Sequence, residues 1–250
     1  MSAISTTASA GRRDVAPALL LAGLCVAGLT LTWVLAALVP ATHLRDAIVL
    51  RDFTRLDSPT VEGPANLLLE LLEPPFFITW GLVLVAIALS RARPRVAIAV
   101  ALALGLAPLS AELLKPLVAH THAQMAPVYI TSSSWPSGHA TAVTVLVWCA
   151  VLVTPPARRR SVAIVGVLLA ATVGCSLLIL AWHMPSDVLG GYLMGTLWAA
   201  IAIAALRAVG PRRARPRKLS QPYRPTRAHV PLEPIATRIP PPLGSHSRRG

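Results

Sequence analysis

Long apolar stretches, separated by charged residues and prolines, dominate the pattern of this chain. Six of them approach the length of about 20 apolar residues that a helix needs to cross the hydrocarbon layer of a bilayer. They cover residues 16–39, 65–90, 96–114, 139–154, 161–182 and 187–209. The pattern therefore predicts an all-α, polytopic membrane protein with six transmembrane helices.

The second and fourth segments have the least defined limits. Glu70, Glu73 and Pro74-Pro75 interrupt the second, so its start is expected to be a kinked or interfacial helix, with the span beginning near Phe76. The fourth is short. Arg12-Arg13 ahead of the first segment would also suit a signal peptide. That apolar run is longer than a signal peptide needs and no small-x-small cleavage site follows it, so we interpret it as a membrane helix.

Composition agrees with a membrane protein. Hydrophobic residues make up 54% of the chain and charged residues 13%, and the mean hydropathy is +0.63, which is too apolar for an ordinary soluble domain. The net charge of +13 does not indicate a nucleic-acid binder, because most of it lies in the tail after Pro211. Cys25, Cys149 and Cys175 fall within apolar stretches and show neither a disulfide framework nor metal-ligand spacing.

The distribution of basic residues predicts the orientation. The N-terminal segment, the second and fourth loops and the tail carry 19 of the 23 Lys and Arg residues, which resist translocation. Both termini are therefore expected in the cytoplasm and the odd-numbered loops outside. Heavy use of Ala, Arg, Pro and Val suggests a high-GC bacterium, and hence the plasma (inner) membrane.

These patterns divide the chain into three parts. Residues 1–15 form a cytoplasmic N-terminal segment, residues 16–210 the membrane domain, and residues 211–250 a basic tail rich in Pro and Arg. The tail is predicted to be disordered because it has too few apolar residues to fold alone. It is either held against anionic lipids of the inner leaflet or simply solvated.

The polar residues of types suited to catalysis or ligand binding cluster in two loops that are predicted to face outward. Ser137-Gly138-His139 directly precedes an apolar helix, where free backbone N–H groups and the helix dipole favour an anion. Ser137 is equally well explained as an N-cap. His183 and Asp187 are four residues apart, so the carboxylate can orient one imidazole nitrogen and leave the other as a nucleophile. Alone, this spacing also suits an ordinary polar contact.

Together these motifs resemble the type 2 phosphatidic acid phosphatase (PAP2) superfamily of membrane lipid phosphatases. Pro136-Ser137-Gly138-His139 matches its second motif, His183-Met-Pro-Ser-Asp187 is similar to the end of its third, and Lys115-Pro116 is similar to the opening of its first. The resemblance implies a six-helix bundle in which His183 attacks phosphorus and becomes a phosphohistidine, oriented by Asp187. It further implies that His139 protonates the leaving oxygen and later activates water.

By the same resemblance, Lys115, Ser137 and the Gly138 amide hold the phosphoryl oxygens, and neither a metal nor a cofactor is required. The chain departs from the pattern at two arginines. In the first motif the candidate positions are His120, His122 and Ala123, and in the third Leu177 follows Ser176 where the family has Ser-Arg. Losing one donor to a developing oxyanion costs about 3 to 4 kcal/mol. His120 or His122 would supply only a pH-dependent charge.

The sequence therefore favours a metal-independent phosphatase acting on a lipid phosphate or a polyprenyl (di)phosphate at the outer face of the membrane. The alternative is a PAP2-like protein that binds such a lipid without hydrolysing it, which the missing arginines support. A transporter is disfavoured because no internal repeat is evident. An intramembrane serine protease built on Ser137 and His183 would leave His139 without a role. The oligomeric state is not indicated.

Overall fold

The computed structural model describes residues 3–121 and 130–209, with side chains from Val15 onward. Within these ranges the chain is helical apart from turns and loops, which confirms the predicted all-α class. The basic tail and His122 lie outside the described residues. The helices are α1 (Ala3–Leu38), α2 (Pro40–Thr54), α3 (Pro59–Glu70), α4 (Pro74–Ser90), α5 (Pro94–Leu114), α6 (Gly138–Val153), a 3-10 turn (Pro156–Arg158), α7 (Arg159–Ile179) and α8 (Pro185–Val209).

Proline sets the start of most of these helices. Five of them, α2, α3, α4, α5 and α8, begin with a proline, whose fixed φ suits the first turn and whose missing N–H would have no intrahelical acceptor there. The stretch predicted as the first outward loop is thus folded into α2 and α3. Helices α3 and α4 meet at a bend of 57°, so the predicted second segment is broken just before Pro74.

Among the described residues, four helical stretches are long and apolar enough to cross a membrane, namely Val15–Leu38, Pro94–Leu114, Pro156–Ile179 and Pro185–Val209. The bent pair of α3 and α4 makes a fifth if it is counted as one span. The predicted fourth segment, α6, has 16 residues and is about 24 Å long at 1.5 Å per residue, which is shorter than a typical hydrocarbon layer. The count of six spans therefore stays a prediction. Many large apolar side chains are exposed, such as Leu20, Leu82 and Leu168, as expected of a surface that faces lipid.

Helix α8 lies at the centre of the bundle, packed against α1, α5 and α6. It approaches α6 closely because small residues line their contact. A Cβ on Gly191 would lie 2.6 Å from the Ser137 carbonyl oxygen, and one on Gly195 would lie 2.7 Å from Thr144 Cβ. Gly191 and Gly195 thus form a small-residue seam of the type that lets membrane helices touch along their backbones.

Arginines of the second loop bind the carboxyl ends of neighbouring helices. Arg93 Nη1 donates to the Leu152 carbonyl at 3.2 Å, Arg91 donates to the Val153 carbonyl, and Arg95 Nη1 donates to the Val209 carbonyl at 3.1 Å. These carbonyls have no intrahelical donor and carry the negative end of the helix dipole. The basic second loop therefore lies at the end of the bundle where α6 and α8 finish, opposite the end where they begin.

We predict that Gly195→Ala destabilises the protein by about 1 to 3 kcal/mol, because the added methyl group must push α6 and α8 apart. The matched control is Gly105→Ala in α5, where a Cβ would meet nothing within 4 Å. Thermal unfolding of both variants in the same detergent checks this. Equal melting temperatures would contradict the close packing of α6 on α8.

Candidate active site

The site is built where α6 and α8 begin, side by side. The Ser137 N–H donates to the Asp187 carbonyl at 2.9 Å, which ties the loop before α6 to the first turn of α8. Gly190 leaves room for the buried ring of Trp135, since a Cβ there would lie 2.6 Å from its Nε1. The two sequence motifs are therefore brought into direct contact although 50 residues separate them.

His183 and Asp187 form the predicted pair. His183 Nδ1 lies 3.5 Å from Asp187 Oδ2, and the same oxygen accepts a hydrogen bond from the Met184 N–H at 3.0 Å. Asp187 is fully buried, whereas the side chain of His183 keeps 12% of its surface exposed. The carboxylate thus faces Nδ1, and the other ring nitrogen of His183 is left for a reactant.

His139 lies in the first turn of α6, beside His183. Its ring packs edge-on against Trp182, with centroids 5.6 Å apart, and its Nε2 lies 3.9 Å from Glu73 Oε1. Trp182 directly precedes His183 in the chain. One short turn therefore carries both Trp182, which packs on His139, and His183, which faces Asp187. This arrangement brings two imidazoles to the same wall of one cavity.

Lys115 reaches the site from the end of α5. Its Nζ donates to Glu112 Oε1 at 2.6 Å, and the side chain is 20% exposed against 59% for Glu112. A Cβ on Gly138 would lie 3.1 Å from that carboxylate oxygen and 3.9 Å from Lys115 Nζ. The absence of a side chain at Gly138 therefore leaves the start of α6 open to the lysine.

These side chains surround a cavity of about 540 Å³, which we call the phosphate cavity. Its polar walls come from Glu73, Glu112, Lys115, His139 and His183. Its apolar and backbone walls come from Leu72, Pro74, Phe77, Ile78, Pro108, Gly138, Ala142 and Trp182. Of the predicted residues, Lys115, Gly138, His139 and His183 line this cavity together, and Asp187 lies behind His183.

Two other predicted residues do not line it. Ser137 is fully buried, and its hydroxyl accepts a hydrogen bond from the Ala140 N–H at 3.4 Å, which is the N-cap alternative. His120 stacks on His43 of α2, with ring centroids 6.1 Å apart, and its backbone N–H donates to the Ser132 carbonyl. The structure thus supports a capping role for Ser137 and places His120 beside α2.

The position of the missing third-motif arginine is occupied by apolar packing. Leu177 is fully buried in a hydrophobic cluster that also contains Leu50 of α2 and Leu69 of α3. A guanidinium at this position would lose its water without gaining a partner in that cluster. The position at which the resemblance leads one to expect an arginine is therefore part of the apolar contact of α2 and α3 with α7.

A second carboxylate near α8 was not predicted from the sequence. Asp46 of α2 accepts hydrogen bonds from Ser186, at 3.1 Å from the backbone N–H and at 2.6 Å from the hydroxyl. Burial raises the pKa of Asp46, and the two bonds from Ser186 oppose that rise. Asp46 falls in a stretch predicted as a loop, so nothing in the pattern directed it toward the motif. We call this contact the α2 clasp.

No metal site accompanies these residues in the part of the chain that is described. Within residues 3–121 and 130–209, no three His, Cys, Asp or Glu side chains form a group that could hold a metal ion. The groups available for chemistry in the phosphate cavity are therefore a lysine, two histidines, two carboxylates and the backbone at the start of α6.

Comparisons with known proteins bear on both the fold and the motifs. A family model described as the PAP2 superfamily matches residues 81–210, just over half of the chain. Among solved structures, the fold is similar to that in "Crystal structure of the first transmembrane PAP2 type phosphatidylglycerolphosphate phosphatase from Bacillus subtilis", with a TM-score of 0.65 and 22% sequence identity. That similarity covers 76% of this chain and 98% of the other. No curated protein matches the chain.

We predict that Asp46→Ala lowers the stability of the protein by about 1.5 to 3 kcal/mol, because the Ser186 N–H and hydroxyl lose a charged acceptor. The matched control is Asp52→Ala on the same helix, whose carboxylate forms an exposed ion pair with Arg55 of the kind worth about 0 to 1 kcal/mol. Melting temperatures measured in one detergent compare the two variants. Equal losses would contradict the α2 clasp.

Proposed function

The chain belongs to the PAP2 superfamily, and from that premise we propose that it is an integral-membrane phosphatase that hydrolyses a lipid phosphate or polyprenyl (di)phosphate through a phosphohistidine. Membership in the superfamily supports a phosphatase of the PAP2 type. The substrate class, the covalent intermediate and the location of the site at the outer face of the membrane are our proposals.

The observation that carries the proposal is the pairing of His183 with a fully buried carboxylate on the wall of a cavity that also holds His139 and Lys115. Asp187 faces Nδ1 of His183, so the Nδ1–H tautomer is favoured and Nε2 keeps a lone pair. A nucleophile, a second imidazole and a cation on one cavity are the parts that phosphoryl transfer through histidine requires.

In the first step, Nε2 of His183 attacks phosphorus and the bond from phosphorus to the leaving oxygen breaks. His139, in its protonated form, donates its proton to that oxygen, so the lipid alcohol or polyprenyl phosphate departs with one added proton. In the second step, His139 takes a proton from water, the water oxygen bonds to phosphorus, and the phosphorus–nitrogen bond breaks. His183 is thereby regenerated and inorganic phosphate is released.

Positive groups at the start of α6 stabilise the phosphoryl oxygens. Lys115 provides a full charge, and the first-turn amides of α6 near Gly138 provide N–H donors and the positive end of a helix dipole. Ser137 assists by capping the helix, which fixes the direction of those amides. Because phosphoryl transfer depends mainly on positioning and charge neutralisation, these groups address its principal energetic demand.

The second candidate function is binding of a lipid phosphate without hydrolysis. Two observations favour it: Leu177 stands buried where the superfamily motif has arginine, and Lys115 is paired with Glu112. Each absent donor would reduce the stabilisation of the transition state by about 3 to 4 kcal/mol, which lowers kcat by roughly 10² to 10³-fold. The nucleophile, its carboxylate and the proton donor are nevertheless present, so we favour a slow enzyme over a binding protein.

The location at the outer face is supported by the two ends of the bundle. The arginines of the second loop bind the finishing ends of α6 and α8, and the phosphate cavity is lined from the starting ends of those helices. Since basic loops stay on the cytoplasmic side, the cavity belongs to the opposite, extracytoplasmic side.

We predict that the purified protein releases phosphate from at least one of phosphatidic acid, phosphatidylglycerol phosphate and polyprenyl diphosphate, with EDTA present, because no step uses a metal. His183→Ala should lower this release by at least about 10³-fold, since the nucleophile is lost. His246→Ala, the same substitution far along the chain from every motif, serves as the control. Binding of one of these lipids with no release at any pH would favour the second candidate function.

A further inference from the structure

A second cavity lies beside the phosphate cavity and is almost entirely apolar. It has a volume of about 520 Å³ and is lined by one polar side chain, Ser161, among apolar residues of α3, α4, α6 and α7. We call it the apolar groove. Its walls include Leu68 and Leu72 near the α3–α4 bend, Val83 and Leu84 of α4, Val143 and Val147 of α6, and Val162, Val165 and Leu169 of α7.

The groove exists because α3 and α4 diverge. Helix α3 packs on α7, whereas α4 packs on α5 and α6, and the 57° bend between them leaves the face of α6 uncovered between α4 and α7. Gly166 of α7 lies against Val147 of α6, so these two helices touch at the floor of the groove. The opening is thus a consequence of the helix packing of the bundle.

The groove adjoins the phosphate cavity. Leu72 lines both of them, and the next residue along the chain, Glu73, lines the phosphate cavity with its Oε1 3.9 Å from His139 Nε2. A molecule with its phosphate beside His183 would therefore find, on the other side of Leu72, a wall without charges. One polar cavity with an apolar groove beside it matches a molecule with a phosphate head and a hydrocarbon chain.

We propose that the apolar groove holds a hydrocarbon chain of the substrate whose phosphate occupies the phosphate cavity. This inference rests on the proposed function and specifies how that site distinguishes among substrates. Chain length and shape, rather than headgroup contacts alone, then determine which phosphate esters are processed.

The effect of the groove is on positioning more than on affinity. Bilayer chains are as apolar as the groove, so transfer from the bilayer gains little from the hydrophobic effect. Van der Waals contact with the walls instead holds the chain in one direction and thereby holds the phosphorus near His183, where small displacements have large effects on rate. A substrate too short to pass Leu72 gains nothing from this contact.

Tryptophan substitutions that fill the groove test the proposal. Val165→Trp on α7 and Val83→Trp on α4 narrow it from opposite walls, at residues that are 65% and 46% exposed. The controls are Ile164→Trp and Leu168→Trp, also on α7, which are 53% and 63% exposed and do not line the groove. All four positions are exposed, so each variant is expected to fold.

The quantity measured is the ratio of kcat/KM for a long-chain phosphate ester to that for a short, water-soluble alkyl phosphate. We expect the ratio to fall at least about tenfold in the two groove variants and to stay within about twofold of the parent in the two controls. A ratio that is unchanged in the groove variants, or lowered equally in the controls, would overturn the proposal that the groove holds the substrate chain. The proposed phosphatase function would be unaffected by that result.

A second measurement does not depend on turnover. A long-chain alkyl phosphonate that bears a diazirine near the end of its chain is photolysed with the full-length protein, and labelled peptides are located by mass spectrometry. Labels are expected on groove residues such as Val83 and Leu169, and excess unlabelled phosphonate should remove them. Labels found only on the face of α7 with Ile164 and Leu168, or unaffected by competitor, would refute the groove even if no substrate were hydrolysed.

Discussion

The close approach of α6 and α8 is the constraint on which the rest of the structure depends. The two helices begin side by side because Gly191 and Gly195 have no Cβ to separate them, and the Ser137 N–H bonds to the Asp187 carbonyl. Each helix carries one imidazole at or just before its start, and the start of α6 offers first-turn amides to an anion. Without this contact, His139 and His183 would be attached to separate helices with no shared cavity.

The charge balance of the cavity limits how strongly it can attract a phosphate. One lysine faces two carboxylates, Glu73 and Glu112, and Leu177 contributes no charge where an arginine is customary in the superfamily. Both carboxylates are at least half exposed, so water screens much of their repulsion for a phosphate. The apolar cluster around Leu177 also includes Leu50 of α2, and Asp46 of the same helix bonds to Ser186 at the start of α8. The position of Leu177 thus contributes apolar packing and no charge.

Much of the fold followed from the sequence, because apolar length and proline positions fix membrane helices and their starts. The predicted segments 96–114 and 187–209 closely match α5 and α8. Helix α2 and the first half of α3 were missed because Asp46 and Glu62 made that stretch resemble a polar loop, whereas the kink before Pro74 was predicted. Motif spacing is set by helix starts and grouped His139, His183 and Lys115, which line one cavity; their roles stay predictions. The contact of Asp46 with Ser186 depends on long-range packing that no local pattern encodes. The predicted residue His122 lies outside the described residues.

The covalent role of His183 is tested most directly by trapping its phosphorylated form. In His139→Ala, an aryl phosphate whose leaving group departs without a proton should still phosphorylate His183, whereas water should no longer be activated to release phosphate. Rapid acid-free quenching and peptide mass spectrometry should then find acid-labile phosphate on the His183 peptide, with one equivalent of phenolate released per protein. Phosphate on another residue, or steady turnover without any labelled peptide, would contradict nucleophilic attack by His183.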